Sequence, residues 1–307
     1  MDSRIKISTM NPKMNPKMNP KRSGQMQRFR KRPGQRQGSA LQECRCRCRY
    51  SGGADRGFTL TEVLVVALII GILLALVSAA VFPVLDTAKE FGIYSEAAKL
   101  KLAMEQLKSQ YGANPPADLS NPSTASSAVY KFVARVFPRY DISQLSTDLT
   151  TAGASTAFDP GNALVFWLVG FSGDPSNPFS DHDKRMSGAD MSAAFYEFDT
   201  DRLGTNSNIV RYFPALPGGE YDTADATRAF LYFDRSAYSK PYTPPSSTTA
   251  FNAYKNSGGG YYSPQSFQII QAGLDGNLGT GTSLSTEDDN IGSFASGTVK
   301  DLYDKNN

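Results

Sequence analysis

Few residues of this sequence are suited to chemistry. The one imidazole, His182, lies in Ser180-Asp-His-Asp-Lys184. A hydrolytic triad would need it as base, yet no Gly-x-Ser-x-Gly elbow supplies a nucleophile. Its neighbours Asp181 and Asp183 make this stretch read as a solvated polar loop. Cys44, Cys46 and Cys48 alternate with arginines. That spacing lacks a fourth ligand and a nearby histidine, so it does not make a zinc tetrahedron. There is no P-loop or G-x-G-x-x-G fingerprint, and Gly258-Gly-Gly260 reads as a flexible turn. Paired acids could serve glycoside hydrolysis, but only at separations a sequence does not display. The expectation is that the chain is not an enzyme. The carboxylate that stands out is Glu62, alone at the head of a long apolar run.

The elements around Glu62 are set by charge. Net charge over 307 residues is only +3, but residues 1–57 hold 15 of the 32 Lys and Arg and three of the 29 acids (Asp2, Glu43, Asp55). The basic part repeats Met-Asn-Pro-Lys three times between Met10 and Lys21. It has too few apolar residues to offset its ordering entropy, so it reads as a disordered basic leader. Without interleaved aromatics it is not expected to bind nucleic acid. It reads instead as a cytoplasmic, positive-inside flank, with Met26 as an alternative start. The remainder is acidic and has no cysteine, which excludes a disulfide frame and a thiolate nucleophile there.

Val63 to Phe82 is a run of 20 residues without a charge. As a helix it would be about 30 Å long, the thickness of a bilayer core. The leader orients it with the acidic part outside. At mid-membrane an unpaired acid costs about 2.5–3.5 kcal/mol, and less near an end. Thr59-x-x-Glu62 is a capping-box pattern and an acid suits a helix start. This accounts for Glu62 at a solvated helix end, but not for an acid set against an apolar run after the basic residues stop at Arg56. Ser78-Ala79-Ala80 offers a rival reading as a secretory signal cut before Val81. That would release an exported protein with a glycan-binding or hydrolytic domain.

The border Arg56-Gly57-Phe58-Thr59-Leu60-Thr61-Glu62-Val63 resembles the type IV prepilin signal shared by type IV pilins and type II secretion pseudopilins. The resemblance implies cleavage after Gly57 by a prepilin peptidase and N-methylation of Phe58. It also implies that Glu62 pairs with the N-terminal ammonium of a neighbouring subunit. The implied partners are further copies of the chain, other pilin-like subunits, the peptidase, an inner-membrane assembly platform and membrane lipid before assembly. The implied place is the bacterial inner membrane, single-pass, with the head in the periplasm or outside, and then a filament.

Beyond the apolar run Pro83 should kink the helix. Leu100, Met104, Leu107 and Tyr111 then mark one apolar face, and Gly112-Ala-Asn-Pro-Pro116 stops it. The expected divisions are a leader at 1–57, removed on maturation, a membrane half of the helix at 58–83, an amphipathic half at 84–112 and a globular head at 113–307. Within the head a helix is predicted at Ser127–Phe137. Strands are predicted at Ala163–Phe171, Ala193–Phe198, Asn208–Phe213, Arg228–Phe233 and Phe267–Gln271. The fold class is α+β, an antiparallel sheet against the long helix. Trp167 and the tyrosines read as core and rim. The stretch between about 117 and 227 exceeds a minimal pseudopilin head and has no function assigned from sequence.

Two stretches of the head add to the resemblance. Phe233-Asp234 and Lys240-Pro241-Tyr242 are similar to the Asp-Pro-Trp-Gly-x-Pro-Tyr stretch of major pseudopilins, without its Trp. Phe267 to Gly276 followed by Glu287 to Gly292 is similar to their C-terminal calcium loop. That likeness implies Asp275 and Asp289 as carboxylate ligands, Asp288 as a competitor, and the Ala272 and Ile291 carbonyls as backbone ligands. Calcium takes six to eight hard oxygens on a loop that can fold round it. A solvated Asp-Gly turn beside an acidic loop is the plainer reading, and there is no EF-hand series.

Overall fold

The computed structural model describes residues 57–206, 209–215, 225–245, 247–256, 258–281 and 289–306. The leader expected at 1–57 lies outside them, apart from Gly57.

Helix α1 spans Leu60–Tyr111, 52 residues, or about 78 Å at 1.5 Å per residue. It begins at a complete capping box. The Thr59 hydroxyl accepts from the Glu62 N–H at 3.2 Å, and Glu62 Oε2 accepts from the Thr59 N–H at 2.8 Å. Pro83 removes one backbone donor, yet the helix continues through it. It stops at Gly112, whose φ of 74° suits a residue without Cβ and whose N–H donates to the Lys108 carbonyl. The two halves differ in what covers them. Leu60–Ser78 is wholly unburied, with mean hydropathy 2.9. From Ile93 onward one face is buried: Ile93, Ala97, Leu100, Met104 and Leu107, at helical spacing.

The head packs on that face. Its helices are α2 (Ala128–Val136), α3 (Leu145–Thr151), α4 (Pro160–Leu168), α5 (His182–Met186) and α6 (Val299–Asn306). Strands β1 (Leu203–Asn206) and β2 (Ile209–Tyr212) form an antiparallel pair. Strands β3 (Leu231–Asp234), β4 (Phe267–Gln271) and β5 (Ile291–Gly292) form an antiparallel sheet with β4 central, in the register Leu231↔Ile270 and Gln271↔Ile291. Helix α1 lies against β4 and β5, and α4 packs against α1, β2 and β3. The α+β expectation therefore holds, with the sheet against the long helix.

Several predicted elements match. The α2 helix falls inside the expected Ser127–Phe137, β4 has the expected bounds, and β2 and β3 fall within or beside theirs. Two strands do not form. Most of Ala163–Phe171 is α4, all nine of whose residues are buried. A fully buried run carries no periodicity to separate helix from strand. The legible signal was Asp159-Pro160: Asp159 Oδ1 accepts from the Asn162 N–H at 2.8 Å, and Pro160 starts the helix. Ala193–Phe198 is irregular. The Phe195 N–H donates to the Leu168 carbonyl at 2.8 Å, satisfying the C-terminus of α4 instead of a strand neighbour.

That contact requires glycine at position 170. Its φ is +78°, and a Cβ there would lie 1.9 Å from the Ala193 carbonyl oxygen. Gly170→Ala is expected to destabilise the protein by about 2–3 kcal/mol, measured as a lowered urea midpoint in detergent.

Two buried charge clusters fasten the head. On α1, Glu96 pairs with Arg202 and accepts from the Tyr212 hydroxyl at 2.8 Å and the Tyr196 hydroxyl at 3.2 Å. The Arg202 guanidinium also lies 4.5 Å over the Tyr212 ring. At the start of α4, Asp159 pairs with Arg211 of β2. Next to it, Asn162 donates to the Val210 carbonyl at 3.1 Å.

Candidate functional site at the head of the apolar helix

The site is the stretch Gly57 to Glu62 and the helix it opens. Phe58 is 86% exposed. No described atom lies within 4 Å of where a Cβ on Gly57 would stand, and its φ is not in the left-handed range. Nothing within the fold therefore demands glycine there. Glu62 is exposed, and the partner it has is local: its Oε2 accepts from the Thr59 N–H and from the Thr59 hydroxyl at 2.9 Å. The capping pattern legible in the sequence is thus formed. It engages one carboxylate oxygen and brings no cation to the other. Immediately beyond, Val63, Leu64 and Val66 are more than half exposed. This surface is too large and continuous for a solvated monomer. The arrangement presents a carboxylate and an all-round apolar rod together, suited to a membrane or to a bundle of like helices.

The C-terminal loop brings part of the expected calcium set together. Asp289 Oδ2 accepts from the Leu274 N–H at 2.5 Å and the Asp275 N–H at 3.0 Å. Burial, together with the charge of the neighbouring Asp275, holds the Asp289 carboxyl above the usual range. Gly273 permits this approach, since a Cβ there would meet the Asp289 backbone at 2.3 Å. Ala272 and Ile291 are buried at the ends of β4 and β5. Asp288 lies outside the described residues. Among the described residues no group of three or more His, Cys, Asp or Glu converges on one point. Sequence reasoning missed Arg228, whose guanidinium donates to the Leu274 and Asp275 carbonyls at 3.2 Å each. It lies 46 residues from Leu274, so no local pattern could have announced it.

His182 is not in a solvated loop, which corrects the sequence expectation. It is fully buried against the rings of Phe166, Phe179 and Phe171, at 4.4, 5.9 and 6.3 Å, while Asp181 and Asp183 face outward. Its Nε2 donates to the Phe166 carbonyl at 3.0 Å, which fixes the neutral tautomer. Burial lowers its pKa to about 3. Because that is below the unfolded value, the folded state gains from neutral His182 above about pH 6.5, and the gain is lost as pH falls toward 3. Between pH 6.5 and 4.5 the loss should be roughly 2 kcal/mol. His182→Phe should flatten the acid limb of a stability-versus-pH curve, and an unchanged limb would refute the assignment.

Residues 53–78 match the family described as the prokaryotic N-terminal methylation motif, the prepilin-type motif of type IV pilin-like proteins. The matched stretch runs from ahead of α1 to the end of its apolar span at Ser78. No curated protein and no solved structure is significantly similar to the chain.

Proposed function

We propose that this chain, anchored by the helix that carries the methylation motif, is a structural subunit of a pilin-like filament. Of the two kinds, a type II secretion pseudopilus is favoured over a type IV pilus by the likeness of the C-terminal loop to major pseudopilins. The observation that carries the reading is the coincidence of three features at one point. The methylation motif, a capped helix start bearing an exposed acid, and a wholly unburied apolar span meet at Phe58 to Ser78. A prepilin peptidase cuts after Gly57 on the cytoplasmic side of the inner membrane, and Phe58 becomes the methylated N-terminus. Gly57, which the fold itself does not require, serves the peptidase. The apolar half waits in the bilayer with the head outside. It then leaves the lipid to bundle with its like, Glu62 meeting the ammonium of an adjacent Phe58. The role is structural, not catalytic.

The deciding measurement is the intact mass of the mature protein with N-terminal fragmentation. A methylated Phe58 start is expected. A Val81 start would overturn the reading in favour of an ordinary secretory signal and a soluble exported domain.

Calcium at the C-terminal loop belongs to the same proposal. Asp275 and Asp289 are carboxylates set close together, and among the described residues neither forms a salt bridge; a divalent ion would relieve that repulsion. With the Ala272 and Ile291 carbonyls they would hold it, and its charge would stiffen the β4–β5 connection. Arg228 engages other carbonyls of the loop and does not compete for these. Calcium at 100 times its Kd should stabilise the protein by about 2.7 kcal/mol. The rise in Tm should disappear in Asp289→Asn, and no rise in the unaltered protein would sink the site.

A further inference from the structure

The base of the head has a groove between α1 and the C-terminal segment, lined by Glu90, Phe91 and Tyr94 on one side and Ile291, Thr298 and Asp301 on the other. Its chemistry is unusual for a free surface. Phe91 is 69% exposed although it lies beyond the apolar span. Burial and the charges of Asp289, Asp301 and Asp86 hold the Glu90 carboxyl above the usual carboxylate range. Of these, Asp86 has Lys89 at 2.8 Å, while Asp301 accepts from the Thr298 N–H at 3.0 Å. An exposed ring among carboxylates suits a guanidinium, which can stack on the ring while pairing with the acid.

The opposite end of the head carries the complement. Lys131 and Arg135 lie one turn apart on α2, and Arg139 follows just past its end; all three are exposed. Among the described residues none of them forms a salt bridge. Helix α2 sits beside the C-terminal end of α1, with Phe137 and Tyr111 rings 5.7 Å apart. Glu90 lies 21 residues earlier on α1, about 31 Å down the helix. Acid and base are therefore at opposite ends of one head. That is the arrangement of a heterologous contact, which propagates into a filament.

We propose that the Glu90–Phe91 groove at the base of one head receives the Lys131–Arg135–Arg139 face of a second copy of this chain. Heads then stack base to top, with Arg135 as the central contact. This rests on the filament reading above and adds a specific head-to-head contact to it. The test uses the full-length chain, processed in cells, with filaments quantified by sedimentation and electron microscopy. Arg135→Glu and Glu90→Lys should each reduce assembly at least about tenfold, because each places like charges together. The charge-swapped double variant should recover to within about threefold of the unaltered protein. Recovery would exclude misfolding as the cause of the single losses. Single variants that assemble normally, or a double variant no better than the worse single, would overturn the contact and leave the filament reading standing. Failure of the unaltered chain to assemble would overturn both.

Discussion

On the filament reading, Glu62→Ala is expected to start at a methylated Phe58, as the unaltered chain should, and to be lost from filaments. The structure makes this variant interpretable. In the single chain Glu62 contributes a capping box to α1 and nothing else that is described. Losing a cap costs about 1 kcal/mol. That does not melt a helix of 52 residues whose second half is held by the head. Loss of assembly would then report a contact made only between chains. Glu62→Gln separates the two roles. Glutamine can complete a capping box, but it has no charge to offer a neighbouring ammonium. Both variants should therefore fail to assemble, with helix content preserved by circular dichroism. Normal filaments from Glu62→Gln would mean that capping is the residue's whole contribution, and the pairing would have to be abandoned.

Breaking the Asp159–Arg211 pair should be the most damaging single change within the head. Both side chains are at most 5% exposed, and Arg211 Nε lies 3.1 Å from Asp159 Oδ2. Arg211→Met removes the cation and leaves a carboxylate buried at the start of α4. Removing one member of a buried pair costs about 3–5 kcal/mol, because the other is left uncompensated. Asp159 caps α4 through the Asn162 N–H, so Asp159→Asn should retain the cap and lose only the charge. The double variant, with neither charge buried, should be more stable than Arg211→Met alone. Denaturant midpoints of the four proteins in detergent measure this directly. A loss under about 1 kcal/mol in Arg211→Met would show that the pair is not what holds α4 to β2.

The long helix and the motif at its head were legible because they rest on local quantities. Length without charge, a basic flank, a cap at Thr59 and a stop at Gly112 each depend on neighbours within a few residues, and the hydrophobic pattern sorts the two halves by period alone. The border Arg56 to Glu62 was readable as a motif for the same reason: its residue types and their spacing are all local. The α2 helix and β4 were also locally marked, by apolar spacing at Val129, Phe132, Val133 and Val136 and by a β-branched and aromatic run.

The head was legible only as a class. Burial of every α4 residue erased the periodicity that would have named it a helix, and Ala193–Phe198 lost its strand to the open carbonyl end of α4. His182 looked solvated because its chain neighbours are acids, and it is buried because the turn after α4 folds Phe166, Phe171 and Phe179 around it. Arg228 reaches the C-terminal loop, and Glu90 gathers with Asp289 and Asp301, across separations that no spacing rule covers. Sequence by itself determined that an apolar run of bilayer length follows a basic flank, that the methylation motif lies at its border, and which acid stands at the helix head, since those depend on composition and on contacts a turn apart. Only the tertiary structure decided which charges are buried in pairs and which converge in a groove, since those depend on long-range packing that brings distant segments into one dielectric environment.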